Sequence, residues 1–89
     1  MRYEWDEEKR QQTLQERGLD FADAERFFDG RNVLTELSSR GEEQRWRSTT
    51  MLDGDFVTII WTERDDARRV ITMRRAHAKE ERQYRQLYD

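Results

Sequence analysis

The residues with the most chemistry to offer lie between Thr62 and Tyr88. Thr62-Glu63-Arg64-Asp65-Asp66 reads as a turn. Ala67 to Arg75 reads as a strand in which apolar groups alternate with arginines. From Ala67 to Tyr88, seven basic residues (Arg68, Arg69, Arg74, Arg75, Lys79, Arg82, Arg85) stand against two acids, Glu80 and Glu81. That segment carries +5 in a chain of net charge −3, so the remainder carries −8. A basic strand facing solvent is a receptor for phosphate oxygens, because a guanidinium fork fits two oxygens at once. Period two places Arg69 and Arg75 on one face of the strand and Arg68 and Arg74 on the other. Arg64 falls in the turn before it, and Arg45 on another strand. His77 is the chain's single imidazole and stands where strand gives way to helix. Tyr84 and Glu63 are the other groups able to move a proton.

Each feature has a plainer use. Arginines between apolar residues protect an exposed strand from pairing with other chains. His77 suits a surface position at a helix start, and Tyr84 suits packing on the sheet. Trp46 and Trp61 offer stacking faces for bases, though burial is their commoner fate. Asp53, Asp55, Asp65 and Asp66 are the acids a metal would need, but they fall in two separate turns and read as turn chemistry.

The elements that must position these groups follow from composition and pattern. At 89 residues the chain is read as one domain, 1–89, with a core that suffices to fold. Charged residues make up 42% and the hydrophobic set 34%, a balance that leans toward disorder. Three Trp, three Tyr and four Phe oppose it, because a few large rings bury much area. No Cys is present, which fits a reducing compartment and excludes disulfides and zinc-thiolate sites. No apolar run follows Met1, so neither signal peptide nor membrane span is expected, and the cytoplasm is the expected location. The net negative charge disfavours generic nucleic-acid binding and confines any such role to a local patch.

Tyr3 and Trp5 alternate with charge, as in a short edge strand. Asp6 caps a surface helix from Glu7 to about Arg17 that ends at Gly18. Asp20 caps a second helix, whose Phe21, Ala24 and Phe28 fall at i, i+3 and i+7, with Phe27 widening the stripe. Four antiparallel strands follow, near Asn32–Leu37, Gln44–Leu52, Phe56–Trp61 and Arg69–Arg75. Asp53-Gly54 marks a tight hairpin, and Ser38 to Glu43 a turn. In the second of these strands, Trp46, Ser48, Thr50 and Leu52 take one face and Arg45, Arg47, Thr49 and Met51 the other. A last helix runs from about Ala78 to Tyr88.

These elements and their joints resemble the BrnT family of small toxins, within the broader RelE-like group. Three stretches carry the resemblance: Trp5-Asp6 with Gly18, Phe21, Ala24 and Phe28; Arg45-Trp46 with Trp61-Thr62-Glu63-Arg64; and Arg69-Val70-Ile71-Thr72-Met73-Arg74-Arg75-Ala76 with Glu81-Arg82-Gln83-Tyr84. Departures fall at Thr13, where the family usually has Asn, and at Glu16-Arg17-Gly18, where it usually has Lys-His-Gly. Thr50 stands for the usual Gly, and Thr72 for the usual Ser. The second departure removes a group that titrates near neutrality.

The resemblance implies an α+β, RelE-like fold: two N-terminal helices, a roughly four-stranded antiparallel sheet with room for a short N-terminal strand, and a C-terminal helix. It implies an endoribonuclease toxin that works without metal or cofactor, arrests translation, and pairs with a ribbon-helix-helix, BrnA-like antitoxin in a hetero-oligomer. The residues suited to catalysis are then Arg64, Arg69, Arg74, Arg75, His77 and Tyr84, with Arg45, Arg68 and Lys79 contacting RNA. The other reading is a catalytically weak interaction module that binds an antitoxin-type partner and does not cut.

Overall fold

The computed structural model describes residues 1–38 and 41–88. Ser39 and Arg40, the middle of the expected turn after the first strand of the meander, lie outside the described residues. Five strands form one sheet: β1 (Arg2–Glu4), β2 (Leu34–Leu37), β3 (Trp46–Leu52), β4 (Asp55–Arg64) and β5 (Ala67–Arg75). Their spatial order is β1-β5-β4-β3-β2. The meander β2 to β5 is antiparallel, as expected, and β1 adds a fifth strand parallel to β5. From β1 on one edge to β2 on the other, the chain crosses through α1 (Glu7–Arg17) and a 3₁₀ helix (Phe21–Phe28). The last element is α2 (Ala78–Tyr88).

α1 starts where Asp6 accepts a hydrogen bond from the Lys9 N–H, with Glu7 and Glu8 in the first turn favoured by the helix dipole. It stops at Gly18, whose φ of 69° is left-handed and whose N–H closes on the Leu14 carbonyl. Thr13 is its buried residue, while Leu14 stays exposed. A reciprocal latch ties its C-terminus to the end of β5. Arg17 Nη1 donates to the Met73 carbonyl at 2.8 Å, and Arg75 Nη1 donates to the Arg17 carbonyl at 2.8 Å.

The second helix is 3₁₀ in form, and its inward residues differ from those expected. Phe21, Ala24 and Phe27 are buried, a spacing of three residues, because successive turns of a 3₁₀ helix eclipse at i+3. Phe28 therefore turns partly out of the core. This helix lies on one face of the sheet, over Val57, Ile59, Trp61, Val70 and Met73. Each large side chain buried there contributes about 1.5–3 kcal/mol. The Trp61 indole N–H donates to Ser48 Oγ at 2.9 Å, which satisfies its polar atom inside the core.

The hairpin at Asp53-Gly54 is as tight as the sequence suggested, and the one between β4 and β5 is tighter than expected. Asp53 and Gly54 have φ of 52° and 89°, and Asp65 and Asp66 have 51° and 64°, so two residues suffice for each reversal. β4 consequently extends to Arg64, and β5 begins at Ala67. Arg64, expected in the turn, is the last residue of β4 and pairs with Ala67.

One irregularity reorganises the arginines. Ile60 pairs with Thr72 but Trp61 with Val70, so Ile71 is an extra residue bulged out of β5. Strict alternation had grouped Arg69 with Arg75 and Arg68 with Arg74. The bulge reverses this. Arg69 and Arg74 lie opposite Thr62 and Thr58, on one face, while Arg68 and Arg75 lie opposite Glu63 and Val57, on the other.

Candidate functional site

The face that carries Thr58, Ile60, Thr62 and Arg64 is covered over only part of its width. α2 packs across β2 and β3, with Tyr84 edge-on to Phe56 at 5.3 Å and the Tyr88 hydroxyl donating to the Val33 carbonyl at 2.8 Å. Beyond α2 the same face presents Arg47 from β3, Arg64 from β4, and Arg69 and Arg74 from β5. Arg45 joins them from the segment just before β3.

Two adjoining clefts run between these arginines and share Arg45 and Ile71 as a common wall. The first, of about 210 Å³, is lined by Lys9, Glu43, Arg64, Arg69 and Thr62 among others. The second, of about 380 Å³, is lined by Arg47, Arg74, His77, Glu80, Ile60 and Thr72 among others.

Each cleft contains a carboxylate shared by two guanidiniums. In the first, Glu43 accepts from Arg45 at 3.1 Å and from Arg64 at 3.2 Å, and its side chain is 37% exposed. Arg45, first, and then Arg64 hold its carboxyl below the usual carboxylate range against the opposing cost of burial. In the second, Glu80 accepts a bidentate fork from Arg74 at 2.8 and 2.9 Å and lies 3.3 Å from Arg47 Nε. It also accepts from the His77 N–H at 2.8 Å and from the Thr58 hydroxyl at 3.1 Å. Its side chain is 8% exposed. Burial pushes this carboxyl up, but the hydrogen bonds from Arg74, His77 and Thr58 outweigh it and hold it at about 2.

The contact between Glu80 and the His77 N–H also sets the start of α2. Glu81 N–H bonds back to the His77 carbonyl, which makes His77 the residue before the first turn and Glu80 the third residue in it. A glutamate there returns to the backbone N–H of the capping residue, half of a capping box. One buried carboxylate thus fixes the direction of α2, the plane of the Arg74 guanidinium and the place of His77 at the cleft mouth.

Five of the nine residues assigned to the site from sequence do not share its arrangement or reach it only at the rim. Arg68 lies on the opposite face, its guanidinium stacked 3.8 Å from the Phe28 ring and donating to the Tyr3 hydroxyl at 3.0 Å. Arg75 caps the end of α1. Tyr84 packs between Phe56 and Tyr88, and Lys79 is exposed on α2. His77 is exposed at the edge of the second cleft. Arg45, Arg64, Arg69 and Arg74 are brought together. Arg47, Glu80, Glu43 and Lys9 were overlooked. For Arg47 the signal was present, since it lies two residues after Arg45 on the same face. Glu80 gave no signal, because a glutamate near the start of a helix usually faces solvent.

Arg17, at the end of α1, is engaged with the Met73 carbonyl. Asp53 forms a fork with Arg26 at 2.8 and 2.9 Å, and among the described residues no group of three or more His, Asp or Glu is arranged to hold a metal ion. Among the described residues no helix is long and apolar enough to cross a membrane.

Guanidiniums from three strands thus line two adjoining clefts on one face of an α+β scaffold. Residues 5–80 match the family model described as the ribonuclease toxin, BrnT, of type II toxin-antitoxin systems, and the chain belongs to that family. A comparison with curated proteins found none that matches the chain. Membership of a ribonuclease toxin family implies RNA as the target and an antitoxin as the partner.

Proposed function

We propose that residues 1–89 form a single RelE-like toxin domain that cuts RNA in the cytoplasm without a metal ion, arrests translation, and is neutralised by a cognate ribbon-helix-helix, BrnA-like antitoxin in a hetero-oligomer. The observation that carries this reading is the bulge at Ile71, which places Arg69 and Arg74 on the open face beside Arg45, Arg47 and Arg64.

In the proposed reaction the ribose 2′-oxygen attacks the adjacent phosphorus in line as the 2′-hydroxyl loses its proton. The bond to the 5′-oxygen breaks, and that oxygen takes up a proton. The products are a 2′,3′-cyclic phosphate and a 5′-hydroxyl. Arginine forks hold the charge that builds on the phosphoryl oxygens, the task that a metal performs in other nucleases. His77 is the imidazole nearest the arginines and is assigned the proton transfer. Glu80 is assigned no proton: a carboxyl held at about 2 with its oxygens already engaged is a poor base near neutrality.

Expression without a partner arrests growth and leaves RNA fragments if this reading holds. Purified protein then cuts RNA in the presence of EDTA, and the fragments end in cyclic phosphate. Cleavage that needs a divalent ion removes the metal-free mechanism.

The pairing of the arginines with Glu4, Glu36, Glu43 and Glu80 favours the second reading, a module that binds an antitoxin-type partner and does not cut. Those carboxylates lower the net positive charge of the face. Unaffected growth, with intact RNA and retained partner binding, selects the module.

A further inference from the structure

The two arginine–carboxylate–arginine groups are alike in composition and unlike in how firmly they are closed. Glu80 is buried and held by donors from β3, β4, β5 and the start of α2. Glu43 is reached by one arginine before β3 and one at the end of β4, at longer distances and in contact with water. An exposed ion pair of this kind is worth at most about a factor of five in an equilibrium, so another anion can take its place. A phosphate offers a guanidinium fork the same paired oxygens as a carboxylate. Lys9 and Arg69 line the same cleft, and Arg69 meets Glu4 at 3.9 Å. His77 lines the other cleft.

We propose that Arg45, Glu43 and Arg64 form a second phosphate subsite, which takes a non-scissile phosphate of the RNA strand while the bond to be cut lies beside Arg74 and His77. Glu43 is a placeholder there: it keeps the two guanidiniums in position and is displaced when RNA binds. The shared wall of Arg45 and Ile71 lets one strand pass from cleft to cleft. The inference rests on the reading of this face as an RNA site. It adds that the site spans more than one phosphate and that an acidic residue inside it opposes binding.

The test is binding of a fluorescein-labelled 2′-O-methyl hexanucleotide, which lacks the attacking hydroxyl, to the full chain. Glu43→Gln should tighten binding roughly threefold, a gain that loss of a structural contact would not give. Arg64→Ala should weaken it, and the gain from Glu43→Gln should shrink in the Arg64→Ala background, as a coupled pair requires. Glu25→Gln removes the same charge from the 3₁₀ helix on the other face and should change binding less. An equal gain from Glu25→Gln, or no gain from Glu43→Gln while the wild type binds, overturns the subsite. A gain for poly-glutamate and none for the oligonucleotide also overturns it and assigns the triad to an acidic protein partner. No binding of the oligonucleotide by any form overturns the RNA reading itself.

Discussion

Arg47–Glu80–Arg74 and Arg45–Glu43–Arg64 use the same three side-chain types on the same face of one sheet, yet they differ in depth. The first is closed from four directions and leaves little of its carboxylate exposed. The second stands at the open end of β4, with Arg64 52% exposed. An ion pair in low dielectric is strong, but it is costly to assemble and damaging to break. An ion pair in water is weak and exchangeable. The same pair of side-chain types therefore yields a fixed scaffold in one place and a replaceable contact in the other, and burial together with the added donors from His77 and Thr58 sets the difference.

The largest expected effect comes from breaking the buried group. Arg74→Ala leaves the Glu80 carboxylate buried with much of its compensation gone and should cost about 3 kcal/mol or more in urea unfolding. Arg64→Ala should stay within about 0.5 kcal/mol of wild type. Equal losses would erase the distinction between the two groups.

Acid titration measures the same contrast. The Glu80 carboxyl is depressed in the folded chain to about 2 from an ordinary 4.5. Its contribution is therefore fully present above about pH 4.5 and is lost as pH falls toward 2, and it amounts to roughly 3 kcal/mol. The stability difference between wild type and Glu80→Gln, measured by urea unfolding at successive pH values, should narrow through that window. A difference that stays constant down to pH 2 would show that the charge of Glu80 is not what stabilises the fold.

Kinetics sharpen the comparison next. Arg69→Ala, in the first cleft, should raise KM about tenfold or more through loss of one charged phosphate contact, with kcat little changed. Its neighbour Arg68 is a control on the opposite face. Arg68→Met keeps most of the stacking area over Phe28 and should leave cleavage unchanged, while costing about 1 kcal/mol of stability through the lost cation–π contact. A fall in kcat for Arg69→Ala would move the scissile phosphate into the first cleft.

Glu43→Ala removes the other partner of the same exposed ion pair and should leave the urea unfolding midpoint close to that of wild type. A large fall in that midpoint would mean that Glu43 holds the hairpin ends together and is not a replaceable ligand.

Much of the fold was legible from local rules. Asp6 and Gly18 delimited α1 because a side-chain acceptor and a left-handed glycine satisfy helix ends locally. Asp53-Gly54 gave the hairpin for the same kind of reason. Trp46, Ser48, Thr50 and Leu52 separated from Arg45, Arg47, Thr49 and Met51 as period two requires. The 3₁₀ form of Phe21–Phe28 was hidden, because phenylalanines at 21, 27 and 28 fit an α stripe as well as a 3₁₀ one.

By itself the sequence determined that arginines would stand on a strand near the end of the chain, that the large aromatics would supply the core, and which family the pattern resembled. Which arginines work together was decided only in three dimensions. A single extra residue at Ile71 exchanges the faces of everything on one side of it, and strict alternation cannot show such a bulge. The depth of Glu80 was likewise a tertiary result, since its burial comes from three strands and a helix converging on one carboxylate. Charge is written in the sequence, but the dielectric around it is made by the fold.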